Sequence, residues 1–240
     1  MKAFVITRDR VTYARQCVET LQAIGLDVVI VDHDSRFPPM VEWLADLELY
    51  ADEVSQDGVP WIVWGDNRHP RDLWRPGGPI AQLVPPGERY IVTDCDVVPD
   101  SDIRAASWWG LLGDLLDANP RAVKAGLGLR TDDLPEHYAG RAQVQAWEAR
   151  FQPPHARPVD RDSSPPGVWA DIDTTLAMYR GTRFALGPAI RTTAPYLARH
   201  LPWYEDSANL TPEQVFYRKR AEFGHWRNPD GFVDTHNLEA

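Results

Sequence analysis

Apolar positions fall into two rhythms along this chain. Lys2-Ala3-Phe4-Val5-Ile6-Thr7 is a short continuous apolar run that reads as a buried strand, whereas Val11, Ala14, Val18, Leu21 and Ile24 recur at the three- and four-residue spacing of one helical face. Gly25 supplies the stop signal for that helix, and Val28-Val29-Ile30-Val31 is a second, β-branched run. Strand, helix and strand in succession make the unit from which parallel sheets are built. Pro38-Pro39 opens a second helix that runs to about Tyr50, and Trp61-Ile62-Val63-Trp64 and Tyr90-Ile91-Val92-Thr93 read as further strands. The pattern predicts one α/β domain with a central, mostly parallel sheet flanked by helices. In such sheets ligands bind in the crevice at the carboxyl ends of the strands. Two acidic clusters stand there: Asp32-His33-Asp34 after the second strand and Asp94-Cys95-Asp96 after Tyr90 to Thr93.

Beyond Asp102 the pattern predicts a helix to about Asn119, a strand near Val123 to Leu129 and a helix from about His137 to Phe151. Residues 152–167 carry Pro153, Pro154, Pro158, Pro165 and Pro166 among charged and small residues, which predicts an extended, flexible loop able to act as a lid. Strand-like Val168 to Tyr179 and Ala189 to Thr193 follow, then a helix from Pro212 to Phe223 with Thr211 and Gln214 as its capping box. Residues 224–240 read as an irregular tail.

Charge and composition narrow the function classes. The formal net charge of -10 argues against broad binding to DNA or RNA, because that affinity comes from lysines and arginines neutralising phosphates. No stretch approaches the ~18 apolar residues of a membrane span, and Met1 to Thr7 is only a short apolar run between charges, so a cytoplasmic location is expected. Cys17 and Cys95 sit in unrelated contexts and suggest neither a disulfide framework nor a zinc site. Ten tryptophans offer rigid faces for bases or sugars, although core packing explains most of them equally well.

Asp94 and Asp96 carry the strongest chemical signal. Residues two apart on an extended segment share a face, so both carboxylates can address one ligand. Hard oxygen donors suit Mg²⁺ or Mn²⁺, ions that keep waters and take substrate phosphates as their remaining ligands. Paired carboxylates at the end of a buried strand also repel and require a compensating cation. The plain alternative is a solvated turn, since Asp is common where strands end.

The segments Phe4-Val5-Ile6-Thr7-Arg8-Asp9-Arg10, Val29-Ile30-Val31-Asp32-His33-Asp34-Ser35 and Thr93-Asp94-Cys95-Asp96 together resemble, in order and spacing, the family 2-like glycosyltransferases of GT-A (Rossmann-like) fold. Asp171 to Arg180 and His200-Leu201-Pro202-Trp203-Tyr204 resemble motifs of small bacterial or phage enzymes of this kind. The resemblance implies a single GT-A domain, residues 1–103 forming a nucleotide-sugar-binding half and residues 104–240 an acceptor-binding half. It implies metal-dependent transfer from a nucleoside diphosphate sugar, with UDP the expected nucleotide, to a hydroxyl acceptor by inversion. The acceptor is open among a glycan, a small molecule, a protein and a modified nucleic acid.

By the same resemblance Thr7, Arg10 and Asp32 or Asp34 would hold the nucleoside. The family's usual Asn-Gly after the second-strand acid is replaced here by His33-Asp34-Ser35. Arg71, with Asn67 and Arg68 behind it, would meet the base or phosphates, and Asp94 and Asp96 would bind the metal with a late histidine, His200 or His225 ahead of His236. A base must take the acceptor's proton; Asp206 is the first choice, Glu205 the second, and Asp171 or Asp173 the alternative pair. Trp203 and Tyr204 could floor a sugar site. For each of these residues an ordinary surface, cap or core role is the competing reading. Two other functions fit parts of the sequence: nucleotidyl transfer, disfavoured because Thr7-Arg8-Asp9-Arg10 lacks the glycine-rich loop such enzymes show, and a non-catalytic module binding nucleotide sugar or carbohydrate.

Overall fold

The computed structural model describes residues 1–53, 61–65, 70–103, 108–159 and 166–220. Asn67, Arg68, His225, His236, the 160–165 part of the proline-rich stretch and the tail lie outside them.

The first half alternates as expected: β1 (Lys2–Thr7), α1 (Val11–Ala23), β2 (Asp27–His33), α2 (Pro38–Glu53), β3 (Trp61–Gly65), α3 (Pro79–Leu83) and β4 (Tyr90–Asp94). After a short β5 (Val97–Pro99) come α4 (Trp108–Ala118), β6 (Lys124–Gly126), β7 (Gly128–Leu129), α5 (Arg141–Glu148), β8 (Arg157–Pro158), β9 (Gly167–Trp169), β10 (Ala177–Tyr179), β11 (Ala189–Thr192), β12 (Leu197–His200) and α6 (Pro212–Arg220). Among the described residues the main sheet has the order β3-β2-β1-β4-β10-β6-β11-β9-β8, and a second sheet the order β5-β12-β7. The four strands β3, β2, β1 and β4 are mutually parallel. From β10 onward the sheet is mixed, and only the pair of β6 and β11 is parallel there.

The alternation of side chains fixes this sheet between two apolar layers. Ala3 and Val5 of β1, Val28 and Ile30 of β2, and Ile91 of β4 face α1, α2 and α4, packing with Leu21, Leu44, Trp108 and Leu112. Phe4, Ile6, Val29, Val31, Tyr90 and Val92 face the other way, onto Leu73 and Ile80 of the segment containing α3. Burial on both faces is why these strands are continuous apolar runs. Helix α1 buries Ala14, Cys17, Val18 and Leu21 and ends as Gly25 turns to φ +80°, a conformation that suits glycine.

Four expected elements differ in detail. The strand near 123–129 divides at Leu127, β6 entering the main sheet and β7 the second. The run 168–179 is two strands, β9 and β10, because the chain bends through 170–176, where Leu176 takes φ +37°. The helix beyond Asp102 starts at Trp108, after a 3-10 turn at Ser101–Ile103. Within 152–167, Arg157–Pro158 pairs with β9 at the sheet edge, so part of the proline-rich stretch is strand. The capping box of α6 forms as read: the Thr211 amide donates to Gln214 Oε1 at 2.7 Å and the Gln214 amide to Thr211 Oγ1 at 3.3 Å.

Candidate functional site

Strand β4 delivers Asp94 to its carboxyl end, level with Ile6 of β1. The Cys95 amide donates to Ile6 O at 2.9 Å, and the chain then turns through Asp96 into β5. Asp94 and Asp96 are thus held on one turn at the mouth of the parallel half of the sheet. The Thr174 hydroxyl donates to Asp94 Oδ2 at 2.8 Å, and the Asp94 amide donates to Thr174 O at 3.1 Å, so the 170–176 bend is tied to the pair. Burial, and then the charges of Asp96 and Asp173, push the Asp94 carboxyl well above the usual carboxylate range, against the opposing effects of Thr174 and Arg10.

Asp96 is buried and pairs through Oδ2 with the Arg10 guanidinium. His200 Nε2 lies 3.6 Å from the same oxygen, and burial lowers the affinity of this histidine for a proton. Asp96 Oδ1 is buried with no hydrogen-bond partner, as is His200 Nδ1. A buried acceptor left bare costs on the order of 1–3 kcal/mol, and here it lies beside a second carboxylate. A cation placed at this turn would satisfy both. Among the described residues no group of three or more His, Cys, Asp or Glu side chains is arranged to hold a metal. Two hard carboxylates are what an ion such as Mg²⁺ or Mn²⁺ takes from a protein, its shell being completed by water and phosphate oxygens.

Arg10 leaves the loop after β1 and is clamped between elements far apart in sequence. Its guanidinium carbon lies 3.5 Å from the centroid of Tyr217 on α6 and 5.6 Å from that of Tyr13 on α1. Tyr13 donates to Glu205 Oε1 at 2.6 Å, and Arg218 pairs with Glu205 Oε2 at 3.0 Å. Glu213 accepts from the amide and hydroxyl of Thr12 at 3.0 and 3.1 Å. Arg220, at the end of α6, pairs with Asp9 Oδ2 at 2.5 Å and reaches Asp34 Oδ2 at 3.4 Å. Helix α6 thus spans the loops after β1 and β2.

The other expected residues occupy separate surroundings. Thr7 is buried, and its hydroxyl oxygen has no hydrogen-bond partner. Asp32 is buried and accepts from the Ser35 amide at 2.9 Å and the Ser35 hydroxyl at 2.5 Å; burial raises its pKa and these bonds partly oppose the rise. It shapes the turn. Asp34, half-buried at φ +60°, pairs with Arg36 at 3.0 Å and is the acid of the two nearer the surface. Arg71 is exposed, its guanidinium 4.9 Å from the Phe184 centroid. Trp203 is core, whereas Tyr204 donates to Asp133 at 2.7 Å.

Of the acids considered as base, Asp206 closes its own turn, accepting from Asn209 Nδ2 at 2.8 Å and the Ala208 amide at 2.9 Å, bonds that lower its pKa. Glu205 is buried among Tyr13 and Arg218. Asp171 is exposed. Asp173 is half-buried and close enough to Asp94 for the two charges to repel. Its backbone carbonyl accepts from Lys124 Nζ and the Tyr179 hydroxyl, both at 2.9 Å.

Asp9, Tyr13, Thr174, Glu213, Tyr217 and Arg220 belong to this constellation and were not singled out in the sequence. The signal for Asp9 was present in Thr7-Arg8-Asp9-Arg10, a polar run at a strand end. The contribution of α6 carried no local signal, since its partners lie some two hundred residues earlier.

The sequence matches no protein-family profile and no curated protein. Two solved structures of S. aureus TarS 1-349 are similar in part. One has a TM-score of 0.44 at 12% identity, covering 82% of this chain and 59% of that one. The other, in complex with UDP-GlcNAc, has a TM-score of 0.43 at 13% identity, covering 90% and 63%. The chain thus spans roughly three-fifths of the length of those structures.

Proposed function

We propose that this protein transfers a glycosyl group from a nucleoside diphosphate sugar, with UDP as the first nucleotide to test, to a hydroxyl acceptor, by inversion and with a divalent cation. The observation that carries the reading is the convergence of Asp94 and Asp96 on one turn at the carboxyl end of the parallel strands, with a bare buried oxygen on Asp96. Asp94 and Asp96 would hold Mn²⁺ or Mg²⁺, which when bound neutralises charge growing on the departing diphosphate. His200, whose Nε2 lies 3.6 Å from Asp96 Oδ2, is the late histidine that would complete the metal shell. The loops after β1 and β2, with Thr7, Arg10 and Asp34, take the nucleoside and diphosphate, and Arg71, exposed beside Phe184, meets the base or phosphates. Residues 1–103 form the donor half and residues 104–240 the acceptor half.

Asp173 is the base this geometry supports best. It adjoins Asp94 and is half-open to solvent, and no hydrogen bond to its carboxylate is found among the described residues. Asp206, by contrast, is bound into its own turn, and Glu205 is enclosed. Acting as base, Asp173 accepts the proton of the acceptor hydroxyl while that oxygen attacks the anomeric carbon and the diphosphate leaves with the bonding pair.

The decisive experiment is release of UDP from UDP-sugars in the presence of Mn²⁺, with and without hydroxyl acceptors. Asp96→Asn is expected to abolish release, and Asp173→Asn to slow transfer ~10²-fold or more while leaving UDP affinity unchanged. Asp206→Asn is expected to change neither. Release by wild type that ignores Mn²⁺, or an Asp173→Asn variant at full rate, would overturn the corresponding assignment.

A further inference from the structure

The Arg10 guanidinium occupies one of the two oxygens through which Asp96 would hold a divalent cation, Oδ2, beside the bare Oδ1. It pairs through Nη1 with Asp96 Oδ2 and rests on the Tyr217 ring, and no hydrogen bond from its other nitrogens is found among the described residues. The guanidinium keeps its charge at every accessible pH. A metal ion approaching either oxygen of this buried carboxylate therefore meets a fixed positive charge at close range, where repulsion is strong. A diphosphate changes the balance, because two phosphoryl groups present the planar, bidentate acceptor that a guanidinium pairs with best.

We infer that Arg10 is a built-in counter-ion for Asp96 that excludes the divalent cation until a diphosphate draws the guanidinium away. The inference rests on the proposed nucleotide-sugar reading and adds an order of binding to it. Free protein takes up the metal weakly; the nucleotide and metal bind together, and Arg10 moves from carboxylate to phosphate as Asp96 passes to the metal. Tyr217 sets how firmly the guanidinium is kept in place, since its ring is the surface on which Arg10 lies. Helix α6 thereby takes part in the exchange without touching the metal.

The test measures Mn²⁺ binding by the loss of the free-ion electron paramagnetic resonance signal, and melting temperature in parallel. Wild-type protein is expected to take up Mn²⁺ at least tenfold more weakly alone than with UDP, GDP or dTDP, whichever binds. Arg10→Gln is expected to bind Mn²⁺ without nucleotide at least tenfold more tightly than wild type, whereas Arg10→Lys, which retains the charge, should not. Should Arg10→Gln fold poorly, Tyr217→Leu loosens the clamp and is expected to raise nucleotide-free Mn²⁺ binding several-fold. Wild type that takes up Mn²⁺ equally with and without nucleotide, or no gain in Arg10→Gln and Tyr217→Leu, overturns the counter-ion role while leaving the two-carboxylate site standing. Absence of Mn²⁺ uptake with all three nucleotides overturns the proposed function itself, and the counter-ion role with it.

Discussion

Lys124 is fully buried, with its ammonium group donating to Asp173 O and to the Tyr179 hydroxyl and lying 5.1 Å from the Phe184 centroid. Burial pushes its pKa down from 10.5 to about 8, against the opposing charge of Asp173. Below about pH 8 the lysine is charged in both folded and unfolded chains. Between about pH 8 and 10.5 the unfolded chain binds more protons, so this group makes the fold more stable as pH rises. Urea unfolding of wild type and Lys124→Met at pH 7.5 and 9.5 checks the sign: wild type should gain stability relative to the variant at the higher pH, and an equal difference at both would refute it. The same residue bears on the candidate site, because its bond to the Asp173 carbonyl holds the bend from which Thr174 reaches Asp94.

Among the elements, α6 links the most distant parts of the site. Its mean residue is polar, and its docking rests on particular contacts: Glu213 to Thr12, Phe216 to Phe37 at 5.2 Å between centroids, Tyr217 to Arg10 and Arg220 to Asp9. Thr211→Ala removes one half of its cap and should cost about 1 kcal/mol. Hydrogen exchange should accelerate across residues 212–220 and leave β1 and β4 unchanged; unaltered exchange in α6 would show that the side-chain contacts alone hold it. The cap itself was legible in Thr211 and Gln214. What α6 packs on was not, because a contact between residues 10 and 217 leaves no mark on local periodicity. For the same reason β1 to β4 and α1 were readable from runs and spacings, whereas β5 and β12 escaped notice: Val97–Pro99 and Leu197–His200 are three and four residues long and are strands because they pair with each other and, for β12, with β7. At the site, the need of Asp94 and Asp96 for a compensating cation was legible. That a guanidinium from the β1 loop meets part of it was not.

Across the whole molecule, two sheets share one apolar layer: Leu127, Leu129 and Ala198 pack in the same cluster as Val5, Ile91 and Trp108. The junction between them is tight. A Cβ on Gly128 would lie 2.4 Å from the Thr192 carbonyl oxygen, a backbone atom that cannot swing aside. Gly128→Ala should therefore destabilise the protein by roughly 1–3 kcal/mol, read as a lower urea midpoint with an unchanged slope; wild-type stability would mean the junction yields more easily than its spacing implies. No helix among the described residues is long and apolar enough to cross a membrane.

Leu127 is the sole residue between β6 and β7, and its amide donates to Leu176 O at 3.3 Å, at the end of the bend that leads into β10. One peptide step thus ties the main sheet to the second, and its hydrogen bond reaches the 170–176 bend, so that a shift of the bend is passed to both sheets at once.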